Sequence, residues 1–123
     1  MLSLEAYDEY CATLPHTKMV VQWGDSHVWK VDTKVFAVGG WGDEKQPYFT
    51  FKVSPHGYDI MKEQPGLRPA PYLASRGMKW IQMFEDGSLS DDDLKLYLKE
   101  SHRLASLNLT KKRQKELGLN QPE

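Results

Sequence analysis

Between Met19 and Val38 the sequence alternates short apolar runs with turns too short to let the chain leave a sheet. The runs Met19 to Trp23, His27 to Val31 and Val35 to Val38 are rich in β-branched and aromatic residues, and Gly24-Asp25 and Asp32-Thr33-Lys34 separate them. A parallel neighbour needs a crossover of a dozen or more residues, so these runs predict consecutive antiparallel strands. Tyr48 to Val53 extends the pattern, with Phe49, Phe51 and Val53 on one side and Tyr48, Thr50 and Lys52 on the other. The phenylalanine side is expected to face the core.

Helical periodicity brackets this region. Ser3 is the expected cap of a first helix that carries Leu4, Tyr7, Cys11 and Leu14 at helical spacing, with Glu5 in its first turn and Pro15 as its stop. Ser54 and Pro55 begin a second helix, running through Tyr58, Ile60 and Met61 to about Gln64, where Pro65-Gly66 breaks it. Pro69 and Pro71 forbid a central strand, so Arg68 to Tyr72 is expected as an extended edge or loop, followed by a turn over Ala74 to Gly77. Trp80 to Phe84 reads as a further strand and Glu85-Asp86-Gly87 as a turn. Ser90 then caps a long helix with Leu94, Tyr97, Leu98, Ser101, Leu104 and Ala105 on one face. Asp91, Asp92 and Asp93 lie at the positive end of that helix, which accounts for the acidic run without any ligand. A last, basic helix starts at Asn108 to Thr110, carries Lys111, Lys112, Arg113 and Lys115, and ends near Gly118. The expectation is one two-layer α+β domain over residues 1–119, an antiparallel sheet packed against helices, with a frayed tail over 120–123.

At 123 residues the chain is long enough for one self-sufficient core. A single cysteine, Cys11, falls on the apolar stripe of the first helix, where a buried small hydrophobe is expected; the absence of cysteine pairs suits a reducing, cytoplasmic setting. No apolar run approaches 18 residues, and Glu5, Asp8 and Glu9 stand where a secretion signal would need an apolar stretch, so no membrane role is expected. The net charge of −1 conceals strong blocks: −4 over residues 1–44, +4 over 45–84, −4 over 85–100 and +3 over 101–123.

The basic block contains Leu67 to Met83, which has Arg68, Arg76 and Lys79, no Asp or Glu, and the aromatic residues Tyr72 and Trp80. Cations to meet phosphates and rings to stack or pack are what a nucleic-acid surface needs, so Lys52, Arg68, Tyr72, Arg76, Lys79 and Trp80 are the candidate site, with Lys111 to Lys115 adding charge. A second reading is a protein- or small-ligand-binding module that uses the sheet face left uncovered by the helices and the aromatic loops around Trp41 and Tyr72. The partners expected are therefore DNA or another protein, with the chain a monomer or weak homodimer. Catalysis is not expected. His16, His27, His56 and His102 are dispersed, and no nucleophile, zinc or dinucleotide motif is present, so neither a metal nor a cofactor is expected. The loop Gly39-Gly40-Trp41-Gly42-Asp43-Glu44 lacks the spacing and the Lys-Ser/Thr of a phosphate loop.

One set of motifs is ordered along nearly the whole chain: Tyr10-Cys11-Ala12-Thr13-Leu14-Pro15, Trp23-Gly24, Val28-Trp29-Lys30-Val31, Lys34-Val35-Phe36-Ala37, Phe51-Lys52-Val53, Pro71-Tyr72, Lys79-Trp80, Asp86-Gly87-Ser88-Leu89-Ser90 and Ser101 to Leu117. In their order and spacing they resemble the MmcQ/YjbR family of small bacterial proteins. The resemblance implies a two-layer fold of helix, three or four antiparallel strands, helix, two further strands and terminal helices, related to secretion chaperone-like folds. It also implies a DNA-binding surface without catalytic residues or cofactor. The sequence departs from the family pattern at Gln22, where a proline often precedes the aromatic-glycine pair, and at Lys79, where a histidine often precedes Trp80.

Overall fold

In chain order the protein forms α1 (Leu4–Ala12), β1 (Thr17–Gln22), β2 (Ser26–Val31), β3 (Lys34–Gly39), β4 (Phe49–Lys52), α2 (Pro55–Met61), β5 (Leu67–Pro69), β6 (Trp80–Met83), α3 (Asp91–Ser106) and α4 (Lys111–Leu117). The computed structural model describes residues 2–40, 48–71, 73 and 77–122. The glycine-rich loop around Trp41 and most of the turn expected over Ala74 to Gly77 lie outside the described residues. Strand order is β1-β2-β3-β4-β6-β5, antiparallel throughout, which gives the α+β architecture expected from the turn lengths. Pro69 sits on the short edge strand β5, where a missing N–H costs no central ladder bond.

Side chains alternate across each strand, so the register assigns them to two faces. The inner face carries Trp29, Val31, Ala37, Phe49, Phe51, Ile81 and Met83 and packs against Tyr7, Cys11, Leu94 and Leu98 of the helices. Each fully buried phenylalanine on this face contributes about 2 to 3 kcal/mol of apolar transfer. Burial pushes the Cys11 thiol up from its ordinary pKa and keeps it protonated, in keeping with its place on the apolar stripe.

Three polar clamps fix the helices to the sheet. From α1, the Asp8 carboxylate accepts from His27 Nδ1 at 2.6 Å and Trp29 Nε1 at 2.8 Å, while the Tyr7 hydroxyl donates to the His27 carbonyl at 3.0 Å. The Tyr7 ring lies directly against Gly39, where any Cβ would collide with it, so this strand position requires glycine. From α3, the buried Ser101 hydroxyl accepts from the Lys52 amide at 2.8 Å and donates to the Phe36 carbonyl at 2.5 Å. The β2–β3 register shifts at Trp29/Lys30, which inserts an extra residue at Phe36. Beyond the Ala37–Phe51 pair, the β3–β4 ladder therefore closes through a side chain instead of directly. His102 Nε2 donates to the Pro15 carbonyl at 2.8 Å.

The helix caps follow the sequence: Ser3, Ser54, Ser90 and Thr110 accept from Ala6, Gly57, Asp93 and Arg113 amides, and Gly118 ends α4 in the left-handed conformation. After α4, Asn120 Nδ2 donates to Ser106 Oγ and Gln114 Oε1, and Leu119 is buried.

The outer face also departs from expectation. It is not left uncovered: Val28, Val38 and Thr50 are fully buried and Gln82 is 1% exposed. An open apolar sheet face, on which the second reading relied, is absent from the middle of the sheet.

Candidate nucleic-acid interface

The register places cations along the rim of the outer face. Lys18 of β1 stands directly opposite Lys30 of β2, and Lys30 is opposite Val35 of β3. Lys52 of β4 points outward beside Trp80 of β6, and Lys34 is near enough to oppose its charge. Strands lie about 4.8 Å apart, so these side chains leave the sheet at intervals of roughly 5 to 10 Å. On the outer row of β5, Arg68 lies opposite Gln82. No Asp or Glu occurs in any of the six strands, whereas five Lys and Arg residues do: Lys18, Lys30, Lys34, Lys52 and Arg68.

Arg68 is held rigidly. Its Nε and Nη2 donate to Gln82 Oε1 at 2.9 and 2.6 Å, and Gln82 Nε2 donates in turn to Thr50 Oγ1 at 3.3 Å. The guanidinium lies 4.7 Å from the Phe84 ring centre and 5.9 Å from that of Tyr48. A planar cation fixed against rings keeps its remaining donors available at little ordering cost. Lys52 is different. Burial first, and then the neighbouring Lys34 charge, lowers its pKa.

At the same end of the sheet as Lys18, Lys30 and Lys34, α4 is docked by Arg113, whose Nη2 lies 2.9 Å from Asp32 Oδ1, and by His16, whose Nε2 donates to the Leu117 carbonyl at 2.7 Å. Asp32 and Glu116 occupy the Arg113 guanidinium, which leaves the exposed Lys111, Lys112 and Lys115 as the cations α4 presents. Two further ion pairs among the described residues, Lys62–Asp59 at the end of α2 and Arg103–Glu100 on α3, neutralise cations of the helical layer.

The six candidate residues are not one cluster. Lys52 and Arg68 share the outer face. Lys79 is exposed but belongs with α2, its Nζ 4.6 Å from the Tyr58 ring, which Lys62 also approaches at 5.4 Å. Trp80, expected as an accessible ring, is a correction: it is 4% exposed, and its indole N–H is buried without a hydrogen-bond partner. Trp80 shares the outer row of β6 with Gln82, a part of that face that is closed to solvent. Tyr72 and Arg76 lie outside the described residues. Sequence reasoning did not single out Lys18 and Lys30, which the register sets side by side on the outer face, whereas Lys34 stands opposite Val31. The signal was present, because a hairpin closing over Trp23-Gly24-Asp25 sets Lys18 opposite Lys30 by counting back from the turn.

Among the described residues no group of three or more His, Cys, Asp or Glu is placed to hold a metal ion, and no helix is long and apolar enough to cross a membrane.

Known structures share the architecture. A Deinococcus radiodurans protein, DR2400, described by a DUF419 domain, superposes with a TM-score of 0.83 at 24% identity, covering 97% of this chain and 90% of that one. A Pseudomonas syringae protein superposes with a TM-score of 0.67 at 19% identity over 85% of this chain and 99% of its own. At such identities the likeness establishes the fold alone. No curated protein matches the chain. The YjbR family model matches residues 12–104, three quarters of the sequence and every strand of the sheet, and the chain belongs to the YjbR family.

Proposed function

We propose that the protein is a non-catalytic DNA-binding protein of the cytoplasm, and that it meets the phosphate backbone with the cationic rim of its outer sheet face. The observation that carries this reading is the segregation of charge: the sheet contributes five cations and no carboxylate, while the described acids lie on helices, caps and turns. A net charge of −1 does not oppose it, because phosphate contacts depend on local potential. Lys18, Lys30 and Lys52 supply point charges in a spaced row, and Arg68 supplies a fixed planar donor. The rings of the site, Tyr48 and Phe84, orient Arg68. Contacts of this kind position a duplex without reading its sequence, so weak sequence preference is expected.

The test is salt-dependent binding of a fluorescent random duplex, read by anisotropy. Wild-type affinity falls linearly with the logarithm of salt, and joint replacement Lys18→Gln, Lys30→Gln and Lys52→Gln reduces the slope by about 2 to 3, near 0.9 for each phosphate that is no longer neutralised. An unchanged slope in the triple variant, or no binding at low salt by the wild type, overturns the assignment.

A further inference from the structure

The two edges of the sheet are β5 and β1, and β1 is built to be paired. Its six residues contain no proline and end at a hairpin, and Met19 and Val21 are 37% and 53% exposed. Large apolar side chains at alternate positions of an outer strand form a contiguous stripe beside unpaired backbone. Which backbone groups point outward follows from the ladder. The Asp32 amide donates to the His16 carbonyl, and hydrogen-bonded pairs alternate along an antiparallel ladder. Lys18, Val20 and Gln22 therefore spend their N–H and C=O on β2, and Thr17, Met19 and Val21 turn theirs away from it.

We infer that β1 is a self-association edge, joining two copies of the chain through antiparallel β1–β1 pairing about a two-fold axis at Val20. The occupant is a second copy because the strand is complementary to itself in this register. Val20 faces Val20, Met19 faces Val21 of the second copy, and Lys18 faces Gln22, so each apolar residue meets an apolar one and no lysine meets a lysine. The outward amide and carbonyl of Met19 meet those of the second copy's Val21, and the two-fold repeats the pair, closing four backbone bonds. Moving the axis to Met19 keeps the hydrogen-bonding parity but sets Lys18 against Val20 and Thr17 against Val21. The Thr17 end is already occupied, its hydroxyl donating to the Cys11 and Leu14 carbonyls, which favours the axis nearer the hairpin. A single edge pairing of this length falls below about 1,200 Å² of buried surface, the class of weak and reversible interfaces. Two sheets of six strands become one continuous sheet, whose two cationic rims share a surface. The inference does not depend on what those rims bind.

Sedimentation of the full chain over a concentration series extending into the millimolar range tests it, with hydrogen exchange resolved by residue. The wild type reaches twice the monomer mass as concentration rises, and the Met19 and Val21 amides gain protection in step with dimerisation. Val21→Lys leaves the circular dichroism spectrum unchanged and keeps the protein monomeric throughout the series. Val21→Pro removes only an outward N–H and gives the same result, separating the role of backbone pairing from that of the apolar stripe. A wild type that stays monomeric at the highest concentration overturns the inference. So does a dimer that survives both substitutions, or one that forms without protecting Met19 and Val21.

Discussion

The two faces of the sheet are both closed, but by different chemistry. On the inner face, Phe49, Phe51, Ile81 and Met83 are sealed by apolar contact with the helices. On the outer face, the buried row Val28, Val38, Thr50 and Gln82 passes from apolar to polar and ends at the Arg68 guanidinium. The same alternating backbone thus supports a side that sets stability and a side whose margin is kept for charge. Substitutions on the inner face should cost folding energy, and those on the rim should change binding with little effect on folding.

The largest effect is expected from Phe51→Ala, which removes a fully buried ring and should destabilise by about 3 to 5 kcal/mol in urea unfolding. A loss below that of Val38→Ala on the opposite face would break the distinction between the faces. Ser101→Ala should cost about 1 to 3 kcal/mol, because the Lys52 amide and the Phe36 carbonyl lose their shared partner inside the fold. Ser101→Thr, which keeps the hydroxyl, should recover part of that loss.

His102 gives a pH signature of the helical side. Burial lowers its pKa from the ordinary 6.5, so the unfolded chain binds the proton more readily than the folded one. Stability is then intact above the free-imidazole pKa and falls as pH drops below about 6.5. Urea midpoints measured on either side of that value should converge in His102→Gln relative to wild type. The smallest effect is expected from Lys30→Gln on the rim, less than about 0.5 kcal/mol in stability, while the salt slope of duplex binding still shifts by about 1. A large change in its unfolding midpoint would show that the rim is part of the core after all.

Much of the fold was legible because local signals agreed with one another. The alternation of Phe49, Phe51 and Val53, the caps Ser3, Ser54, Ser90 and Thr110, and the turns between β1, β2 and β3 each lie within a few residues of the structure they specify. The site was only partly legible, because charge was read along the chain and not across it. Lys79 and Trp80 adjoin in sequence yet part, Lys79 reaching the Tyr58 ring of α2 and Trp80 being buried, whereas Lys18 and Lys30 are twelve residues apart and stand side by side. Register decides which cations assemble. The burial of Trp80 and the bridging of the Phe36 bulge by Ser101 depend on parts of the chain distant in sequence, and neither has a local signature.

The hydroxyl that bridges Lys52 and Phe36 comes from residue 101, 49 and 65 positions downstream of the groups it joins. A contact of such long sequence separation rewards the chain only after a large loop has closed, so it ties completion of the central sheet to the docking of α3.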